Sequence, residues 1–187
     1  MKILSWNCRG LGNPRTIQAL CDFVVIYRPV ILFLCETLVH KMKLVDLCSL
    51  LRFDSCSSVD CTGRSGGLGL LWKNEVDVSI SCYSNNFIDA MVLYSGISWC
   101  LTGFYGFPER CRRQNSWDLI NNLSRRHNGP WLCVGDFNNL LADSEKIGRN
   151  QYPRYLLNGF KEAAVESDLC DIPAKGYKFT WFLKRFG

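Results

Sequence analysis

Hydrophobic positions change period several times along the chain, and each change marks an element. Lys2 to Trp6 is a short, mainly apolar run, followed by a glycine-rich turn through Gly10 and Gly12. Asn13 then predicts a helix cap with Pro14 at the first helical position, where its missing N–H costs nothing. Ile17, Leu20, Cys21, Val24 and Val25 recur on one helical face, a pattern of core packing, and Pro29 marks the helix end. Val30 to Cys35 is continuously apolar and of strand length, as expected for a strand buried on both faces, and it stops abruptly at Glu36-Thr37. A strand, helix, strand unit is therefore predicted.

A second helix is predicted over Lys41 to Leu51. The pattern then shortens to strand-like runs at Leu68 to Trp72, Val76 to Cys82, Ile88 to Tyr94 and Trp99 to Tyr105. Antiparallel hairpins are the natural reading, with turns near Gly66-Gly67, Lys73-Asn74 and Ser95-Gly96. Gln114 to His127 reads as a helix with Trp117, Ile120 and Leu123 on one face, ended by Gly129-Pro130. Trp131 to Val134 gives another buried strand, Leu156, Phe160, Ala163 and Ala164 one more helix, and Tyr177 to Phe182 a last strand. Mixed crossovers and hairpins, with no linker or repeat, predict one α/β domain spanning residues 1–187, two sheets face to face with helices outside.

Composition narrows the class. Of the 187 residues, 48% are hydrophobic, enough for a substantial core and too many for a disordered chain. No apolar run reaches the roughly 18 residues of a membrane span, and Asn7, Arg9 and Gly10 arrive too early for a signal-peptide core. The expectation is a soluble protein with no membrane partner, intracellular in nucleus or cytoplasm. Eleven cysteines suggest a disulfide framework, but the number is odd, no C-x-x-C pair occurs, and several lie inside apolar runs. Free thiols in a reducing compartment fit better. The formal charge is +5, and Arg110, Arg112, Arg113, Arg125 and Arg126 fall in one stretch with Trp117. That is compatible with a polyanionic partner, although such runs are more often solvated faces.

Candidate chemistry sits where apolar strands end. Asn7, Glu36 and Asp136 each close such a run, and the carboxyl ends of strands are where ligands collect in open sheets. Alone, Glu36 is more simply a solvated turn residue. Gly135-Asp136-Phe137-Asn138 says more: the glycine permits a sharp bend, the phenylalanine can anchor it, and two short polar side chains then project in a fixed relation. The alternative there is an ordinary Asx-turn. Asn7, Glu36, Asp136 and Asn138 offer oxygen without an imidazole or thiolate cluster, which suits magnesium better than zinc. Tyr105 ends its strand just before Gly106 and Pro108 and could point its hydroxyl to the same cleft, or be an ordinary core tyrosine. His40 and His127 both read as surface residues.

Taken together, Ser5-Trp6-Asn7-Cys8-Arg9-Gly10, Leu34-Cys35-Glu36-Thr37, Gly66-Gly67-Leu68, Phe104-Tyr105-Gly106, Gly135-Asp136-Phe137-Asn138 and Phe179-Thr180-Trp181 resemble, in order, the motifs of the endonuclease/exonuclease/phosphatase superfamily. Cys8 to Gly12 and Ser144-Glu145-Lys146 are most similar to plant non-LTR retrotransposon endonucleases. The resemblance implies a four-layer α/β sandwich, deoxyribonuclease I-like, hydrolysing phosphodiesters with Mg2+, or Mn2+, in nucleic acid, DNA more than RNA. It implies that Glu36 binds the metal with support from Asn7, that Asp136 orients or deprotonates water, that Asn138 holds a phosphate oxygen, and that Tyr105 stabilises charge at phosphorus or the leaving group.

In that superfamily an arginine-leucine-aspartate segment and a serine-aspartate-histidine motif follow the Phe179-Thr180-Trp181 strand, and the sequence ends at Gly187 before either. The expectation is a domain incomplete at its C-terminus, with impaired catalysis. A catalytically inactive remnant that binds nucleic acid through its arginines is the rival reading, and a phosphatase or RNA-directed nuclease on the same fold is a third.

Overall fold

The structure, a computed structural model, describes residues 1–63, 65–148, 150–173, 175–177 and 179. These fall into two compact units, one of residues 1–106 with 127–137 and one of 107–126 with 138–187.

The first unit opens as the apolar pattern predicts, except that Val25, expected on the buried helix face, is exposed. Strand β1 (Ile3–Asn7) leads to helix α1 (Pro14–Tyr27), whose first turn is closed by Asn13 accepting a 2.9 Å hydrogen bond from the Arg15 amide. Such a cap is worth about 1 kcal/mol. Strand β2 (Ile31–Cys35) then pairs with β1 in parallel, so this is the expected crossover unit. Helix α2 (Lys41–Leu50) follows. Next comes a strand the sequence pattern does not announce, β3 (Ser55–Thr62), then β4 (Ser65–Trp72), which pairs antiparallel to both β3 and β2. The first sheet runs β1-β2-β4-β3.

Strands β5 (Asp77–Ser84), β6 (Phe87–Tyr94) and β7 (Ile97–Tyr105) form an antiparallel meander, and β8 (Trp131–Asp136) adds in parallel to β7. Ser95 and Gly96, at φ 51° and 79°, make the tight β6–β7 turn. The turn expected near Gly66-Gly67 comes just before them, where β3 and β4 close a hairpin at the Thr62–Ser65 pair, and Gly66 itself pairs with Cys61 inside β4. One expectation is corrected here. The Lys73-Asn74 link carries the chain from one sheet into the other, so β4 and β5 are not a hairpin.

The sheets are joined through a core that includes Ile31, Phe33, Cys35 and Leu70 from the first and Val78, Ile88, Ala90 and Leu101 from the second. Leu32 and Leu34 point the other way, into a second core with Leu20, Leu44 and Leu47 under α1 and α2. Strand β2 is thus buried on both faces, and the architecture is the expected α/β sandwich of two mixed sheets with helices. Phe33 is fully enclosed, and a Cβ on Gly103 of β7 would overlap its ring. Phe33→Ala should leave a cavity between the sheets and destabilise by about 3 to 5 kcal/mol in denaturant titration; a loss below about 1 kcal/mol would contradict this packing.

The second unit contains helices α3 (Arg113–Ser124) and α4 (Arg154–Glu166). Gly159 lets them approach, because a Cβ there would overlap the Trp117 ring. Asn121 donates to Glu166 at 2.6 Å, Arg125 pairs with the same carboxylate at 3.1 Å, and Ser167 donates to Asn121 at 2.7 Å. The arginine stretch is therefore only partly a solvated face. Arg113 is buried and donates to the Pro108 carbonyl at 2.9 Å, and Arg112 lies over the Phe107 ring.

His127 is also corrected. Its side chain is only 7% exposed, its ring tilted against that of Trp131 at 4.9 Å, with Nε2 3.3 Å from Asp89 Oδ1, an ion pair whenever the imidazole is protonated. His40 is exposed, as expected. None of the eleven cysteines is joined in a disulfide. No helix among the described residues is long and apolar enough to cross a membrane. The expected strand at Tyr177 to Phe182 lies largely outside the described residues.

Candidate active site

Four strand ends in the first unit deliver the candidate residues. Asn7 closes β1 and Glu36 follows β2, its parallel neighbour in the first sheet; Tyr105 closes β7 and Asp136 closes β8, directly paired in the second. Parallel pairing sets the carboxyl ends side by side, and packing of the sheets brings the two pairs together.

The contacts are specific. Asn7 Nδ2 donates to Glu36 Oε1 at 2.9 Å and to Asp136 Oδ2 at 2.8 Å, so one amide joins two carboxylates across the sandwich. The Tyr105 hydroxyl donates to the same Glu36 oxygen at 2.9 Å. Asn7 Oδ1 accepts the Arg9 amide at 3.2 Å, which fixes which way the amide faces. Without the bridging donor, two carboxylates this close would repel.

Local backbone explains the placement. Glu36 sits at φ 53°, in the left-handed region that a branched or bulky residue adopts only when its surroundings hold it there. Gly135, at φ 145°, passes so close to the Phe104 carbonyl that a Cβ would overlap it. Phe137 stacks on Phe104 at 5.3 Å, the anchor expected for this turn, while the Gly106 amide donates to the Asp136 carbonyl at 2.9 Å. Asn138, at φ 55°, begins the next stretch of the second unit.

Burial pushes the Tyr105 phenol above its usual range; the hydrogen bond to Glu36 and then the nearby Glu36 and Asp136 charges push the same way. Tyr105 therefore stays a neutral donor at physiological pH. Cys8 and Cys35 flank the site, and burial raises both thiols, that of Cys8 to about 12, with Cys35 raised further by Asp136. Neither is a thiolate nucleophile near neutrality. Carboxylate and amide oxygens are the donor set that remains. Among the described residues no group of three His, Cys, Asp or Glu side chains could enclose an ion. Two carboxylates suffice for magnesium, which keeps most of its water.

The profile of the Endonuclease/Exonuclease/phosphatase family matches residues 4–183. The chain belongs to that family. Solved structures agree on the fold. TDP2 of D. rerio, humanized by 14 mutations, matches with TM-score 0.56 at 20% identity over 73% of this chain and 65% of that one. D. rerio TDP2 complexed with single strand DNA product gives 0.57 at 20% identity, covering 73% of this chain and 60% of that one. AP endonuclease LMAP from Leishmania major gives 0.65 at 15% identity, covering 88% and 66%. The chain thus spans less than two thirds of the length of each of these structures. No curated protein matches the sequence.

Membership in the family accounts for the ordered motifs, and two residues assigned no role from the sequence complete the local geometry. Asn86, in the β5–β6 turn, brackets Tyr105: its side chain donates to the Tyr105 carbonyl at 2.8 Å and its own carbonyl accepts the Tyr105 amide at 2.7 Å. Asn85-Asn86 is legible as a turn, but nothing in its spacing points to Tyr105. Thr37 is fully buried behind Glu36, and its polar type gives no hint of that.

Proposed function

We propose that this chain is a divalent-metal-dependent phosphodiester hydrolase that nicks DNA, of the kind carried by plant non-LTR retrotransposons. The observation that carries the reading is the Asn7 amide joined to both Glu36 and Asp136, with Tyr105 on Glu36. Membership in the family supports a phosphate-ester chemistry. The DNA product named for TDP2 and the AP endonuclease activity named for LMAP support DNA as the substrate class. Ser144-Glu145-Lys146 and Cys8 to Gly12 favour the retrotransposon branch.

On this reading Glu36, held by Asn7, is the anchoring ligand for Mg2+ or Mn2+. The ion, when bound, neutralises charge developing on the phosphate. Asp136 accepts the proton of the attacking water or orients it, and Asn138 donates to a phosphate oxygen. Tyr105, kept protonated by burial, is able to donate to the phosphate or leaving oxygen once its bond to Glu36 is exchanged.

Supercoiled plasmid incubated with the purified chain should be nicked at least about a hundredfold faster with magnesium than with chelator, and DNA should outcompete RNA and small phosphoesters. Equal rates with chelator would overturn the metal dependence. A second reading, nucleic-acid binding without turnover, rests on the exposed Arg110, Arg112, Arg125 and Arg126. It predicts salt-sensitive DNA binding with intact plasmid.

A further inference from the structure

We infer that Gly67 is a positioning residue that sets Glu36 through Thr37. The Glu36–Leu38 stretch is clamped from two sides. Gly10 and Leu11 amides donate to the Glu36 and Thr37 carbonyls, each at 2.8 Å. On the opposite side the Thr37 and Leu38 amides donate to the Gly67 and Gly66 carbonyls at 3.1 and 3.3 Å. Both Glu36 and Leu38 are left-handed, at φ 53° and 52°, so the stretch keeps its shape only while the clamp holds.

Gly67 supplies the close side of that clamp. A Cβ on it would overlap Thr37 Oγ1 and come within 3.2 Å of the Leu38 amide nitrogen. Thr37 is fully buried, and its hydroxyl has no hydrogen-bond partner among the described residues, so it cannot move aside into solvent and gains nothing by staying. Its displacement would pass to Glu36, one peptide away, and so to the Asn7 and Tyr105 hydrogen bonds.

The neighbouring glycine is a built-in control. Gly66 has φ 75°, close to the 84° of Gly67, but a Cβ there meets nothing within 4 Å. Gly66→Ala therefore bears the left-handed backbone cost without the overlap. Gly67→Ala bears both.

The test uses the full chain and two readouts. In the first, the Asn7 side-chain amide resonances report the geometry without any need for turnover: they should move in Gly67→Ala and stay in place in Gly66→Ala. In the second, the magnesium concentration for half-maximal plasmid nicking should rise about tenfold or more in Gly67→Ala and less than about twofold in Gly66→Ala, since groups behind a metal ligand act on this scale. Adding Thr37→Ala to Gly67→Ala should restore both readouts, whereas Thr37→Val, which keeps a heavy atom at the Oγ1 position, should not.

Only the magnesium arm rests on the proposed function. If the native chain fails to nick but the Asn7 amide moves as described, the functional reading fails and the positioning role stands. An Asn7 amide that responds equally to Gly66→Ala and Gly67→Ala overturns the inference. Should Gly67→Ala not fold, recovery of folding by Thr37→Ala supports it and absence of recovery overturns it.

Discussion

Glu36→Ala should lower magnesium-dependent nicking by about a thousandfold or more, the scale expected when a group that acts in the transition state is removed from a set that works as a unit. Glu36 is the residue on which the contacts of the site converge, since one of its oxygens accepts from both Asn7 and Tyr105. Its loss would leave the Asn7 amide with Asp136 alone and the Tyr105 hydroxyl buried without that acceptor. The same substitution removes a left-handed side chain, so a rate loss must be separated from misfolding by circular dichroism and a denaturant midpoint. Glu36→Gln is the sharper variant. It preserves length and can still accept through its carbonyl oxygen, but it lacks the charge that attracts a cation. A folded Glu36→Gln chain with the same thousandfold loss would assign the effect to charge. Nicking within a few-fold of the native rate in either folded variant would remove Glu36 from the proposed metal site.

The neighbouring residues predict a graded series. Tyr105→Phe loses one hydroxyl and leaves the ring in the core, so its rate loss should fall well short of that for Glu36, in the range of about ten to a hundredfold. Asn7→Asp would replace the bridging amide with a third carboxylate while keeping its shape, setting like charges against Glu36 and Asp136 in the absence of a cation. Magnesium should therefore stabilise Asn7→Asp against heat more than it stabilises the native chain, and an equal thermal shift in both would argue against a cation among these three side chains.

The legible parts of the sequence were those in which one local pattern has one outcome. Ile17, Leu20 and Val24 fit only a helix with one buried face, and the unbroken run from Val30 to Cys35 fits a strand covered on both sides; both elements formed as predicted. Strand β3 was hidden because Ser55-Cys56-Ser57-Ser58 shows no apolar alternation, and its strand geometry comes from pairing with β4. Gly66 and Gly67 resemble a turn in any local reading; what Gly67 satisfies is the close approach of Thr37, a partner some thirty residues earlier in the chain. His127 looked like a solvated residue at a helix end, and only the fold reveals Asp89 and Trp131 around it.

The site shows the same division. Strand-terminal Asn7, Glu36, Tyr105 and Asp136 stood out because oxygen-bearing side chains ended apolar runs. That Asn7 reaches Asp136 is a contact across 129 positions of sequence, created by two sheets packing, and no spacing rule contains it. Asn86 is the converse case, a residue with an evident local role as a turn whose bracket on Tyr105 appears only once β6 and β7 are paired.

A steep loss of stability above about pH 9 should accompany this construction of the site from buried thiols and a buried phenol. Cys8 and Cys35 are 4% and 0% exposed, and burial raises both from the ordinary 9.0, Cys8 to about 12. The folded pKa therefore exceeds the unfolded one, so the stabilisation is fully present below about pH 9 and is lost as pH rises, because the unfolded chain releases its protons first. Each such thiol contributes about 1.4 kcal/mol per pH unit in that window, so these two alone remove about 3 kcal/mol per unit from a total that is typically about 5 to 15. Cys48, Cys100 and Cys133 are raised mainly by burial as well, and Tyr105 adds its share above about pH 10. Urea midpoints measured from pH 8 to 10.5 under reducing conditions should fall continuously, and Cys35→Ala should make the decline shallower by about 1.4 kcal/mol per unit. A midpoint independent of pH over that range would show that these thiols titrate alike in both states, and hence that water reaches the strand ends on which the site is built.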